Sequence, residues 1–127
     1  MGPESVWAAI RDLPVTRIGH GVRSAEDPAL VAELARRGVV LEVCPGSNVA
    51  LGLYPDRASH PLHRLIDAGV RVTLNSDDPP FFHTTLGTEY DLAGLDEAAL
   101  KHIARTAVEA SFADEATRQK LLREMKP

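Results

Sequence analysis

Cysteine is almost absent: Cys44 is the only one in 127 residues. An internal disulfide is therefore impossible, and a reducing compartment, the cytoplasm, is the expected setting. No apolar run approaches membrane-spanning length, so no spanning helix is expected. The start, Met1-Gly2-Pro3-Glu4, has neither the basic n-region nor the apolar h-region of a leader. Gly2 is not expected to be acylated, because Val6 stands where that motif asks for Ser or Thr. A basic cluster is missing as well. The 14 Lys and Arg are interspersed among 18 Asp and Glu, for a formal net charge of -4, which argues against nucleic acid or an anionic membrane as partner. With no repeat and no low-complexity tract, and with 44% hydrophobic residues to build a core, the expectation is one compact unit over 1–127 that takes a small-molecule ligand or a protein partner.

Helical and strand signals alternate along that unit. Glu4 to Leu13 reads as a helix, with Pro3 near its first turn, Val6, Ala9, Ile10 and Leu13 on one face, and Pro14 as its stop. Thr16-Arg17-Ile18 reads as a short strand running into Gly19-His20-Gly21. Asp27-Pro28 opens the next helix as N-cap and first helical residue, and Gly38 closes it. Val39 to Val43 is a mostly apolar strand that ends in a turn, Cys44-Pro45-Gly46-Ser47-Asn48, followed by a longer loop. His60-Pro61 begins a helix closed by Gly69, and Val70-Arg71-Val72-Thr73-Leu74 is the third strand. After Pro80 an aromatic loop, Phe81 and Phe82, leads to helical segments around 87–92, 96–110 and 114–125. The order α-β-α-β-α-β-α, with near-continuous apolar strands, means an α/β fold: a parallel sheet of about three strands covered by helices.

In such sheets ligands bind beyond the carboxyl ends of the strands, and three polar clusters fall there: His20 after the first strand, Glu42 to Ser47 after the second, Asp77 and Asp78 after the third. The last is the most unusual. Two adjacent carboxylates repel and Asp is depleted in strands, so the pair usually answers to a cation or a polar ligand, although Asp, Ser and Pro are also ordinary turn residues. Cys44 reads as a nucleophile, a ligand or a buried structural thiol. Phe81 and Phe82 would wall a substrate base or simply cover the end of the sheet.

Arg17-Ile18-Gly19-His20-Gly21, Leu41 to Asn48 and Leu74-Asn75-Ser76-Asp77-Asp78-Pro79, in this order and spacing, resemble the adenosine/adenine deaminase family of zinc-dependent aminohydrolases. The resemblance implies the carboxy-terminal part of a TIM (β/α)₈ barrel, with these strands as its sixth to eighth, and hence about half of a fold that takes roughly 250 residues. It implies hydrolytic deamination of a 6-aminopurine, with an adenosine-type nucleoside as first reading and adenine or aminodeoxyfutalosine as alternatives. It also implies roles: Asp77 as zinc ligand, Asp78 as the contact to purine N7, and His20 as the histidine beside the zinc-bound water. Glu42 is expected to hold the His20 ring and Ser47 to bond an Asp77 carboxylate oxygen, as outer groups orient inner ones.

The family's first-strand His-x-His, its fifth-strand His and the neighbouring catalytic Glu have no counterpart here. His60, His63, His83 and His102 read instead as capping or surface residues. Zinc is therefore expected only in a complete barrel, and the chain alone is expected to be inactive. A non-catalytic module that pairs with another chain is the competing reading. Open strand edges and an uncovered apolar face predict self-association or a complementary amino-terminal half-barrel.

Overall fold

The computed structural model describes residues 2–125; Met1, where the leader expectation begins, lies outside them. Helix α1 (Pro3–Asp12) starts on a proline, whose missing N–H costs nothing at that position, and buries Val6 and Ile10. Strand β1 (Arg17–Gly19) follows, then a 3₁₀ turn over Val22–Glu26. Asp27 caps α2 (Pro28–Arg37) by accepting from the N–H groups of Ala29 and Leu30, and Gly38 ends it in the left-handed region that an L side chain resists. Strand β2 (Val40–Val43), helices α3 (Pro45–Ala50) and α4 (Leu62–Asp67), and strand β3 (Arg71–Leu74) come next. Short helices α5 (Pro79–Phe82) and α6 (Leu86–Asp91) precede α7 (Glu97–Glu109) and α8 (Glu115–Glu124), capped by Asp96 and Asp114.

The three strands form one parallel sheet in the order β1-β2-β3, with Ile18 beside Leu41 and Leu41 beside Val72. Side chains alternate across such a sheet. One face therefore carries Ile18, Leu41, Val43, Val72 and Leu74, which pack into the apolar core with Leu30 and Leu34 of α2 and Leu62 and Leu65 of α4. The opposite face carries Arg17, Glu42, Arg71 and Thr73. Among the described residues β1 and β3 are each paired on one side only.

Two segments expected as loops are helical. Cys44 to Asn48 consists of turn formers, yet it begins α3. Pro45 takes the first helical position, and the Gly46 N–H, which a helix start leaves unpaired, donates to Glu89 at 3.0 Å from 43 residues away. Phe81 and Phe82 lie on α5, which Pro79 and Pro80 start. In both places a proline read as part of a turn sits where a helix accepts one.

Candidate functional site

All three strands point their carboxyl ends at one cleft of about 400 Å³ lined by Gly19, His20, Glu42, Cys44, Asn75, Ser76, Asp77 and Leu86. His20 and Asp77 follow their strands in the left-handed backbone region, each at φ 57°. Residues other than glycine seldom adopt it, and such strain, about 1–3 kcal/mol each, collects at functional sites. The ladder sets the His20 turn, because its N–H still donates to Glu42 O at 2.9 Å after the strand has ended.

Asp77 is the meeting point. Ser47 Oγ donates to its Oδ2 at 2.6 Å, as expected from the sequence. His20 Nε2 lies 3.6 Å from the same oxygen, beyond hydrogen-bond range. Among the described residues no hydrogen bond engages Oδ1, which is left open to a cation. Cys44 Sγ completes a set of three ligand-type atoms within 4.8 Å of one another. Burial, followed by the Asp77, Glu89 and Glu42 carboxylates, pushes the Cys44 thiol up to about 12. It is therefore a buried, protonated thiol rather than a nucleophile. The Asp77 carboxylate suits a divalent metal such as zinc, but it is only one ligand of a tetrahedral set. Asp77 thus fits a metal, but among the described residues the cleft does not by itself supply a full ligand set.

Glu42 does not hold the His20 ring. It stands on the polar face of the sheet beside Arg17, whose Nε is 3.0 Å from Glu42 Oε1. The Nε–H is not aimed along that line, so the contact is one of charge, and Arg17 also covers the Phe112 ring at 4.0 Å. The partner of His20 is Asn48, with Nδ2 3.4 Å from His20 Nδ1. Asp78 is exposed at the start of α5, outside the cleft lining. Phe81 is 77% exposed and does not wall the cleft; Leu86 does.

Two residues escape a reading of the sequence alone. Glu89 on α6 is fully buried: Arg57 donates to its two oxygens at 3.0 Å each, Thr84 Oγ1 to Oε1 at 2.5 Å, and Gly46 N to Oε2 at 3.0 Å. Its carboxylate fixes the start of α3 and hence Ser47. A built Cβ on Gly46 would run into Glu89 Oε1, so that glycine admits the carboxylate. His60 is buried, with Nε2 3.0 Å from Asn48 Oδ1. The one legible signal was His60-Pro61 as a helix start, and it gave no hint of a link to His20. His63 Nε2 is 2.9 Å from Ala93 O, and His102 is exposed on α7.

A family model described as adenosine deaminase matches residues 1–127. An adenine deaminase of Agrobacterium fabrum is 58% identical over 125 residues, which is 95% of this chain and 38% of that protein. An adenine deaminase of Chelativorans sp. is 55% identical over 130 residues, covering 99% and 40%. The crystal structure of an adenine deaminase from Arthrobacter aurescens superposes with a TM-score of 0.93 at 32% identity, over 98% of this chain and 39% of that one. An amidohydrolase from Burkholderia ambifaria with bound zinc gives 0.87 at 26% identity, over 98% and 36%. The chain thus spans about two-fifths of the length of the relatives it matches.

Proposed function

This chain belongs to the adenosine deaminase family, and from that membership we propose that it supplies the Asp77 side of an adenine deaminase site, where water replaces the exocyclic amino group of adenine and ammonia leaves. The observation that carries the reading is the convergence of His20 and Asp77 on one cleft, both in strained backbone, with buried Ser47 bonded to Asp77 from behind. Zinc, when bound, supplies Lewis acidity and makes water a nucleophile near neutral pH. Asp77 would offer Oδ1 to that metal while Ser47 pins Oδ2. His20 orients the attacking water and stabilises the negative charge that develops on its oxygen at the purine carbon. Asp78, exposed at the start of α5 just outside the cleft lining, would meet the purine edge of a base held against the cleft. A carboxylate accepts hydrogen bonds only; the free base carries an imidazole N–H, on N7 or N9, that a nucleoside substituted at N9 does not.

The sequence alone ranked a nucleoside ahead of adenine. That order is reversed here, since relatives at 58% and 55% identity are adenine deaminases. Glu42, paired with Arg17, keeps no role in holding His20; it lines the cleft. Strands β1 and β3, each paired on one side, favour completion of the site by a second set of strands that carries the missing ligands.

The test is ammonia release from adenine and from adenosine by this chain alone and after addition of a chain supplying the other strands. Activity on adenine only after complementation, lost in Asp77→Ala and in His20→Ala, is the expected result. Preference for adenosine would overturn the substrate. Full activity of the isolated chain, or complemented activity that survives Asp77→Ala, would overturn the site.

A further inference from the structure

The position of one ring proton can be followed through four groups. Leu62 N donates to His60 Nδ1 at 3.1 Å. A backbone amide can only donate, so Nδ1 is unprotonated and the ring proton sits on Nε2. Burial, followed by the nearby Arg57 cation, lowers the His60 pKa to about 4 and keeps the ring neutral. Nε2–H then faces Asn48 Oδ1 at 3.0 Å, which settles the orientation of the amide: its oxygen turns to His60 and its NH₂ to His20. Asn48 Nδ2, a donor only, lies 3.4 Å from His20 Nδ1. His20 Nδ1 is thereby left as acceptor and the proton goes to Nε2, the nitrogen that faces Asp77 Oδ2 at 3.6 Å.

We propose that His60 and Asn48 form a positioning relay that reads the backbone amide of Leu62 and fixes His20 in the Nε2–H tautomer, so that His20 meets the cleft as a hydrogen-bond donor. Asn48 is 3% exposed and His60 5%, so their mutual contact is buried, while the His20 side chain at the end of the relay keeps 45% exposure to the cleft. Neither residue lines the cleft, and both act only through His20. What the donor does in deamination rests on the proposed function; the tautomer itself does not.

The whole chain with ¹⁵N-labelled histidine, observed at neutral pH by long-range ¹H–¹⁵N correlation, reports the tautomer of each ring. His20 and His60 are both expected as Nε2–H. Asn48→Asp replaces the amide donor by a second acceptor while still accepting from His60, so His20 should move to Nδ1–H and His60 should not change. His60→Ala frees the Asn48 amide and should give His20 as a mixture, whereas His60→Gln, which can accept from Leu62 and donate to Asn48, should restore the wild-type pattern. A His60 proton on Nδ1, a His20 pattern unaltered by Asn48→Asp, or the averaged tautomers of free histidine at both rings in the wild-type chain would overturn the relay. Expected tautomers without deamination after complementation would count against the proposed function alone.

Discussion

Glu89 is wholly buried and lies outside the cleft lining, so its removal measures how much of the site depends on a carboxylate that acts through the start of α3. In Glu89→Ala, Arg57, Thr84 and the Gly46 N–H all lose their acceptor together. Stranding one partner of a buried ion pair costs about 3–5 kcal/mol. The Arg57 side chain keeps 24% exposure, so water softens its loss toward the lower end. An unpaired buried N–H at Gly46 adds about 1 kcal/mol. A total of about 4 kcal/mol, with a urea slope of about 2 kcal/mol/M, lowers the unfolding midpoint by about 2 M. Far-UV circular dichroism across a urea series of the wild-type chain, Glu89→Ala and Glu89→Gln is the assay. The glutamine keeps an acceptor for Gly46 and should lose about half as much. A midpoint shift under about 0.5 M for Glu89→Ala would refute the view that this carboxylate anchors α3. The pH dependence gives a second check. Burial by itself raises the Glu89 pKa, but the hydrogen bonds from Arg57, Thr84 and Gly46 outweigh it and hold the pKa below the ordinary carboxylate value. The contribution is therefore full above about pH 4.3, the unfolded value, and lost as the pH falls through the folded one. The gap between wild type and Glu89→Gln should accordingly narrow in acid.

Three further outcomes are expected. Gly46→Ala forces its methyl against Glu89 Oε1 and, at 3.0 Å, Arg57 Nη2, so it should destabilise the chain by about 1–3 kcal/mol, read as a lower urea midpoint; Gly46→Ala combined with Glu89→Gln should cost no less than Gly46→Ala alone. With its pKa at about 4 against about 6.5 unfolded, His60 binds no proton in the folded chain where the unfolded chain does, so stability should fall as the pH drops from 6.5 toward 4; His60→Gln should flatten that slope in urea titrations at several pH values. With its thiol at about 12, Cys44 should react with iodoacetamide at pH 8 roughly a thousand times more slowly than a free thiol, and equal labelling rates in folded and urea-unfolded chain would contradict its burial.

Local chemistry in the sequence located most of the elements. Asp27-Pro28 and Gly38 bound α2 because an N-cap, a first-turn proline and a left-handed C-terminal glycine act within a few residues of their own positions. The apolar runs around β2 and β3 lie within one residue of their expected bounds, since a strand packed under helices needs little beyond its own side chains. The helix at Pro45–Ala50 was illegible. Gly, Ser and Asn favour a turn on their own, and the acceptor that tips the balance arrives from Glu89 on another element.

The same division runs through the site. By itself the sequence determined that His20, Glu42 and Asp77 stand at the carboxyl ends of three parallel strands, because strand order and period follow from local patterning. Tertiary structure alone decided which of them touch. Ser47 reaches Asp77 since α3 starts where Glu89 pins it. Glu42 turns to Arg17 because the register sets Gly19 beside it, and the alternation of side chains puts Arg17 on the same face. Asn48 and a buried His60, 12 residues apart in the chain, take the place beside His20 that a reading of the sequence had given to Glu42. Propensity acts over a few residues, whereas the pairing of a buried polar group is fixed by whatever donor or acceptor the fold brings within about 3 Å of it.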